Sequence, residues 1–226
     1  MKCLVVAAHP DDEILGCGGT LARWSDEGHE IHILLMSEGV TSRDDNRDVI
    51  KRKKELESIK KASVKASKKI GAASIEFLDF PDNRMDTIDL LDVVKSIEKK
   101  INKLKPSTVL THHFGDLNID HSIIHKAVIT ACRPEKICPV KKILSFEVNS
   151  STEWNSDGNQ DFKPNFFVDI SNFIDCKLAA FKFYESEIKE GPHPRSIEGI
   201  KTLAKFRGQT VGFEFAESFI LIREIN

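Results

Sequence analysis

The chain has 226 residues, 40% of them apolar and 30% charged, and its 33 Lys plus Arg against 35 Asp plus Glu leave a net charge of −2. That balance excludes attraction of the whole molecule to nucleic acid or to an anionic membrane. The longest apolar runs, residues 3–8 and 33–36, fall far short of the roughly 20 residues that span a bilayer, so no transmembrane helix is expected.

Residues 3–8 are a short continuous apolar run, the pattern of a strand covered on both faces. The run meets His9-Pro10-Asp11-Asp12-Glu13 too soon to serve as a signal-peptide core. A helix-like stretch over 14–27 closes at Gly28, and 30–36 reads as a second buried strand, a spacing that implies a parallel pair. After the polar loop 37–47, a Lys-rich helix is expected over 48–70, with Ile50, Leu56, Ile59, Val64 and Ile70 as its apolar positions and Gly71 as its stop. The alternation repeats as strand 74–79, helix 87–103, strand 108–111 and helix 120–132. Beyond that the pattern weakens: short strands near 142–148 and 165–169, helices near 172–188 and 196–207, a last strand 218–222, and a surface loop over 149–161. This order predicts one α/β domain over 1–226, with a mostly parallel sheet and helices on both faces. Cys3, Cys17, Cys132, Cys138 and Cys176 are odd in number and contain no Cys-x-x-Cys pair, as expected of reduced thiols in a cytoplasmic protein.

In such folds ligands sit outside the carboxyl ends of the strands, so loops 9–13, 37–47, 81–86 and 112–118 converge on one site. In the first, two adjacent carboxylates repel each other unless a cation or hydrogen bonds stabilise both. The fourth strand exits into His112-His113-x-Gly115-Asp116-x-Asn118-x-Asp120-His121. His9, Asp12 and His121 together make a set of two histidines and one carboxylate, which leaves a fourth position of a zinc ion open for water; iron and cobalt accept the same donors. Other readings stand beside this one. The His-Pro-Asp-Asp segment also suits a turn in which Asp11 or Asp12 caps a helix. His125, four residues after His121, mimics an HExxH pair, but Ser122 stands where the glutamate belongs. Gly16-x-Gly18-Gly19 has a misplaced third glycine and two acids before it, against dinucleotide binding. His29, His32 and His125 read as structural.

Ala8-His9-Pro10-Asp11-Asp12-Glu13 resembles the defining motif of the PIG-L/LmbE deacetylases, and Asn118-x-Asp120-His121 resembles their second motif. Supporting strings are Ser37-Glu38-Gly39-Val40-Thr41-Ser42-Arg43, Phe80-Pro81-Asp82-Asn83-Arg84, Gly115-Asp116-Leu117-Asn118 and Pro192-His193-Pro194-Arg195-Ser196, so the resemblance covers nearly the whole chain. It implies a Rossmann-like fold, a metal held by His9, Asp12 and His121, Asp11 as general base, and removal of N-acetyl groups from amino sugars such as N-acetylglucosaminyl conjugates. Many members carry a histidine, thought to stabilise the oxyanion, where this chain has Asn118. Asn118 still donates a hydrogen bond, and His113 or His112 offers a cation from the same loop. The arginine that usually opens the long helix is not carried over to Lys60 or Arg52. Arg43 is the preferred substrate contact, followed by Arg84, His193 and Arg195, although Asp-Asn-Arg also suits a salt-bridged turn at Arg84. Phe146 and Trp154 are candidates either for stacking on substrate or for packing. The expected partner is a small amino-sugar conjugate, with neither nucleic acid nor membrane. The alternatives are a metal amidase acting on a non-sugar amide and a metal-free binding protein.

Overall fold

The computed structural model describes residues 1–156 and 158–226; Asp157, in the expected surface loop, lies outside the described residues. The first strand, β1 (Lys2–Ala7), leads into α1 (Asp12–Asp26) and β2 (Glu30–Ser37), then α2 (Lys53–Lys69) and β3 (Ser74–Phe80). The second half of the winding is α3 (Leu90–Leu104), β4 (Thr108–His112), α4 (Ile119–Ala131) and β5 (Lys142–Phe146). The chain ends with β6 (Phe166–Asp169), α5 (Ile174–Phe181), α6 (Ile197–Gln209) and β7 (Ala216–Glu224). The seven strands form one sheet in the order β3-β2-β1-β4-β5-β7-β6. Pairs from β3 through β5 are parallel, whereas β7 runs antiparallel to both β5 and β6.

The apolar run of β1 divides between two cores because successive strand side chains point to opposite faces. Cys3, Val5 and Ala7 pack with α1, α2, α5 and α6, while Leu4, Val6 and Ala8 pack with α3 and α4. Helices therefore cover both faces, as the run of residues without a polar alternation demands. Winding starts at β1 and proceeds outward to β2 and β3, then returns to place β4 on the other side of β1. The strand order reverses between β1 and β4, and the loops leaving their carboxyl ends flank that switch point, the place where ligands bind in sheets of this kind.

Three sequence expectations change. Residues 48–52 form turns rather than helix, because Asp48 accepts the amides of Ile50 and Lys51 at 3.0 and 2.9 Å; Ile50 is then 85% exposed. The helix expected over 172–188 stops at Phe181, which frees Tyr184 to be buried elsewhere. The stretch expected as a surface loop begins with buried Asn149, Ser151 and Thr152. The glycines of α1 serve packing: a Cβ on Gly16 would lie 2.2 Å from the Phe146 ring and one on Gly19 2.8 Å from Ile170.

A buried ion pair is spliced into the middle of α1. Lys177 donates to the Leu15 carbonyl at 2.7 Å and to Glu217 at 2.6 Å, and Glu217 accepts the amides of Gly19 and Thr20 at 2.9 and 2.6 Å. These side chains bind the helix backbone at Leu15, Gly19 and Thr20 and hold the helix whose first turn carries the acidic motif. Lys177→Met strands a buried carboxylate and is expected to lower the unfolding free energy by about 3 kcal/mol or more. Urea denaturation beside the wild type measures it, and a loss under about 1 kcal/mol would contradict that role.

Candidate active site

The exit of β1 carries His9 and the exit of β4 carries His112, so the reversal of strand order brings the two motifs together. His9 Nδ1 lies 3.2 Å from Asp12 Oδ2, His121 Nε2 lies 3.2 Å from the same oxygen, and the two nitrogens are 3.4 Å apart. A tetrahedral ion with bonds of about 2.05 Å needs donors about 1.63 times that distance apart, or about 3.3 Å. The triangle matches that edge on all three sides. Asp12 Oδ1 is buried with no hydrogen-bond partner among the described residues, as expected of a carboxylate that belongs to a cation. The three residues are a group able to hold a metal ion.

Each histidine of the triangle is oriented from behind by a carboxylate. His9 Nε2 donates toward Asp120 at 3.0 Å and lies 3.3 Å from Asp82, and His121 Nδ1 lies 3.1 Å from Asp116. His9, Asp82 and Asp120 also have the spacing of a cation group. Both oxygens of each carboxylate are engaged, however, whereas Asp12 keeps Oδ1 without a partner among the described residues: Asp120 accepts the amides of Asn83 and Met85, and Asp82 accepts the Ser42 amide and the Asn83 side chain. This second set therefore orients His9. Asp116 is itself fixed by the hydroxyls of Ser151 and Thr152, which is why that stretch is buried. Burial alone would lower His121, but Asp12 and Asp116 outweigh it and raise its pKa to about 9. Burial would raise Asp116, yet His121 and the hydroxyls hold it well below the usual carboxylate range.

Asp11 sits at φ 113°, in a backbone region that non-glycine residues rarely adopt. It makes no side-chain cap to α1, and Asp12 bonds backward to the His9 amide at 2.8 Å, so the helix-cap reading of this segment fails. The strained peptide is held by Glu13, whose carboxylate accepts the Asp11 amide at 3.1 Å and the Tyr184 hydroxyl at 2.5 Å. Glu13 is fully buried, and burial pushes its pKa to about 7. The Asp11 carboxylate meets Arg195 Nη1 at 3.2 Å; burial raises its pKa well above the ordinary value against the pull of that guanidinium.

The expected substrate contacts separate. Arg195 reaches Asp11 and also donates to the Asn149 carbonyl at 3.3 Å. His193 accepts the Arg195 amide at 3.0 Å and meets the Trp154 ring edge-on at 5.8 Å. Arg43 binds Glu187 at 2.6 Å, and Glu187 lies 3.8 Å from Arg195, so Arg43 stands two charges away from Asp11. Arg84 binds the carbonyls of Asp44 and Asp45 at 3.2 and 2.8 Å and ties two loops together, with backbone oxygens as its partners rather than the carboxylate of a salt-bridged turn. Asn118 caps α4 through the Asp120 amide and donates to Asn83 at 2.7 Å.

Burial shifts both neighbouring histidines away from the charged form. His113 is bonded to the Gln160 carbonyl at 2.7 Å and packs on Phe114 and Phe162, and burial lowers its pKa. His112 accepts the Ala8 amide at 2.8 Å and stacks on His121 at 3.8 Å, and burial and the charge of His121 both lower its pKa. His125 bonds to the His112 carbonyl at 2.8 Å and is a packing residue, as expected. Phe146 is fully buried, whereas Trp154 is 51% exposed. Sequence reasoning missed Asp82, Asp116, Asp120 and Glu13 as a supporting shell, although all four lie inside motifs it quoted.

Fold and donor set together form a candidate three-ligand metal site at the switch point of a doubly wound α/β sheet. Residues 4–132 match the family model described as PIG-L, GlcNAc-PI de-N-acetylase, and the chain belongs to that family. It is 32% identical to the uncharacterized deacetylase YaiS of Escherichia coli over 81% of this chain and 90% of that protein. It is 25% identical to the diacetylchitobiose deacetylase of Thermococcus kodakarensis over 96% of this chain and 81% of that one. Among solved structures, the conserved protein TT1542 of Thermus thermophilus superposes with a TM-score of 0.77 at 27% identity, covering 99% of this chain and 96% of that one. Among the described residues, no helix is long and apolar enough to cross a membrane.

Proposed function

We propose that this protein is a zinc-dependent N-deacetylase that cleaves the acetamido group of an amino-sugar conjugate into acetate and a free amine. The observation that carries this reading is the His9, Asp12 and His121 triangle, with the strained, buried Asp11 beside it. Two imidazoles and one carboxylate suit zinc, and also iron or cobalt. The ion supplies, when bound, an acidified water and positive charge for the carbonyl oxygen. His9 and His121 are held as its ligands by Asp120 and Asp116. Asp11, its pKa raised by burial, takes the proton of the attacking water and returns it to the departing amine. Arg195 keeps Asp11 aimed and adds a fixed charge beside the reacting carbonyl. Asn118 and His113, expected to assist the oxyanion, are given positioning roles here: one caps α4, the other fixes the loop after β4. The free thiols support a reducing, cytoplasmic setting for the reaction.

Acetate release from N-acetylglucosamine and from a non-sugar N-acetyl amide, measured side by side on metal-loaded protein, tests the reading. Sugar turnover above the amide supports it, and the reverse order supports an amidase of another class. Asp120→Asn is expected to weaken metal affinity about 10- to 100-fold through His9. A chelator competition titration measures this, and unchanged affinity would remove Asp120 from the site.

A further inference from the structure

Beside Arg195, and outside the reaction centre, a cleft of about 560 Å³ opens between residues 147–153, the 191–196 turn and α6. Its floor and walls are mostly apolar, formed by Val148, Pro192, Pro194, Leu203 and Phe206. It shares a wall with the catalytic centre: Asn149 and Pro194 line it, and Arg195, next to Pro194, binds the Asn149 carbonyl on one side and Asp11 on the other. Asn149 also donates to the Pro194 carbonyl at 3.1 Å, which fixes that wall.

The net charge of the cleft is negative. Glu147, Glu153 and Glu198 line it, and the one cation among the described lining residues, Arg207, is engaged by both oxygens of Glu147 at 2.8 and 2.6 Å. The first turn of α6 is closed by Ser196 on the Gly199 amide at 2.9 Å and carries Glu198, so the positive end of that helix is already answered by a carboxylate. A phosphate or carboxylate placed here would meet acids and a cation already paired, whereas an uncharged apolar group would bury its surface against Phe206 and the prolines.

Resting on the deacetylase reading, we propose that this cleft is the subsite for the rest of the conjugate, and that it selects an uncharged aryl or alkyl aglycone over a phosphorylated or sugar one. Phe206, 54% exposed at the cleft, and Glu198 are the residues that set this choice.

The test compares kcat/KM for acetate release by the metal-loaded protein from four compounds: a 4-nitrophenyl N-acetylglucosaminide, N-acetylglucosamine, its 1-phosphate and N,N′-diacetylchitobiose. The aryl glycoside is expected to exceed the free sugar by about tenfold or more, and the 1-phosphate to fall below it. Phe206→Ser, a surface substitution, is expected to bring the aryl-to-free ratio close to one, and Glu198→Lys to raise the 1-phosphate several-fold relative to the free sugar. A wild-type ratio near one, a ratio unmoved by Phe206→Ser, or a preference for the 1-phosphate or the disaccharide would overturn the proposal. If none of the four releases acetate, calorimetric titration with the aryl glycoside separates the two failures. Binding that Phe206→Ser abolishes keeps the cleft and discards the deacetylase reading, whereas no binding discards the cleft.

Discussion

Asp11→Asn is expected to retain about one metal per chain and to lose acetate release by about a hundredfold to ten-thousandfold, the span of a general base. Asparagine preserves the shape of the side chain and can still accept from Arg195, so the change removes proton transfer and little else. The carboxylate is buried beside Asp12 and Glu13, and burial holds its pKa well above the ordinary value, which strengthens it as a proton acceptor. The backbone argues the same way. A residue held at φ 113° costs of order 1–3 kcal/mol, and Glu13 and Tyr184 are arranged to hold it there. Metal content measured beside turnover makes the result decisive: wild-type turnover with full metal would remove Asp11 as the base.

His121→Ala is expected to reduce metal content after dialysis from about one per chain toward none, and acetate release to background with it. The substitution opens the triangle at the corner where His121 meets His9 and Asp12, and two donors cannot hold the ion that three were spaced for. The same residue governs the pH dependence of loading. In the metal-free protein the carboxylates raise His121 to about 9 and, against burial, also raise His9, so protons compete with the cation for both rings. A cation must displace those protons. Apparent affinity is therefore expected to weaken by about one to two decades for each unit as the pH falls from about 8.5 to about 6.5. Competition titrations at three pH values measure the slope, and a flat profile would show that these histidines do not ligate the ion.

The alternation of apolar runs with polar loops made the parallel sheet, the crossover helices and the convergence of strand exits legible, because strands covered on both faces must be apolar throughout. It misplaced elements where a local hydrogen bond or a buried anchor overrode periodicity, as at Asp48 and at Tyr184. The metal triangle was legible because its donors are chemically distinctive and fall just beyond strand ends. Its supporting shell was not: Asp82, Asp116 and Asp120 are ordinary loop acids until the fold places them within about 3 Å of a ring nitrogen, the span of a hydrogen bond. Arginines behaved the same way. Their long side chains reach several partners, so sequence position alone did not separate Arg195 at Asp11 from Arg43 at Glu187 or Arg84 at a loop carbonyl.

By itself, then, the sequence determined the fold class and the convergence of the β1 and β4 exits, and it pointed to the donor set proposed for the metal, since each depends on residue type and spacing along one strand and its exit. Only the tertiary structure decided which carboxylates orient the histidines, that burial lowers the pKa of His112 and His113, that Arg195 belongs to Asp11, and that an acidic apolar cleft adjoins it. Those properties depend on burial and on side chains that meet from distant parts of the chain, and no local pattern of residues records either.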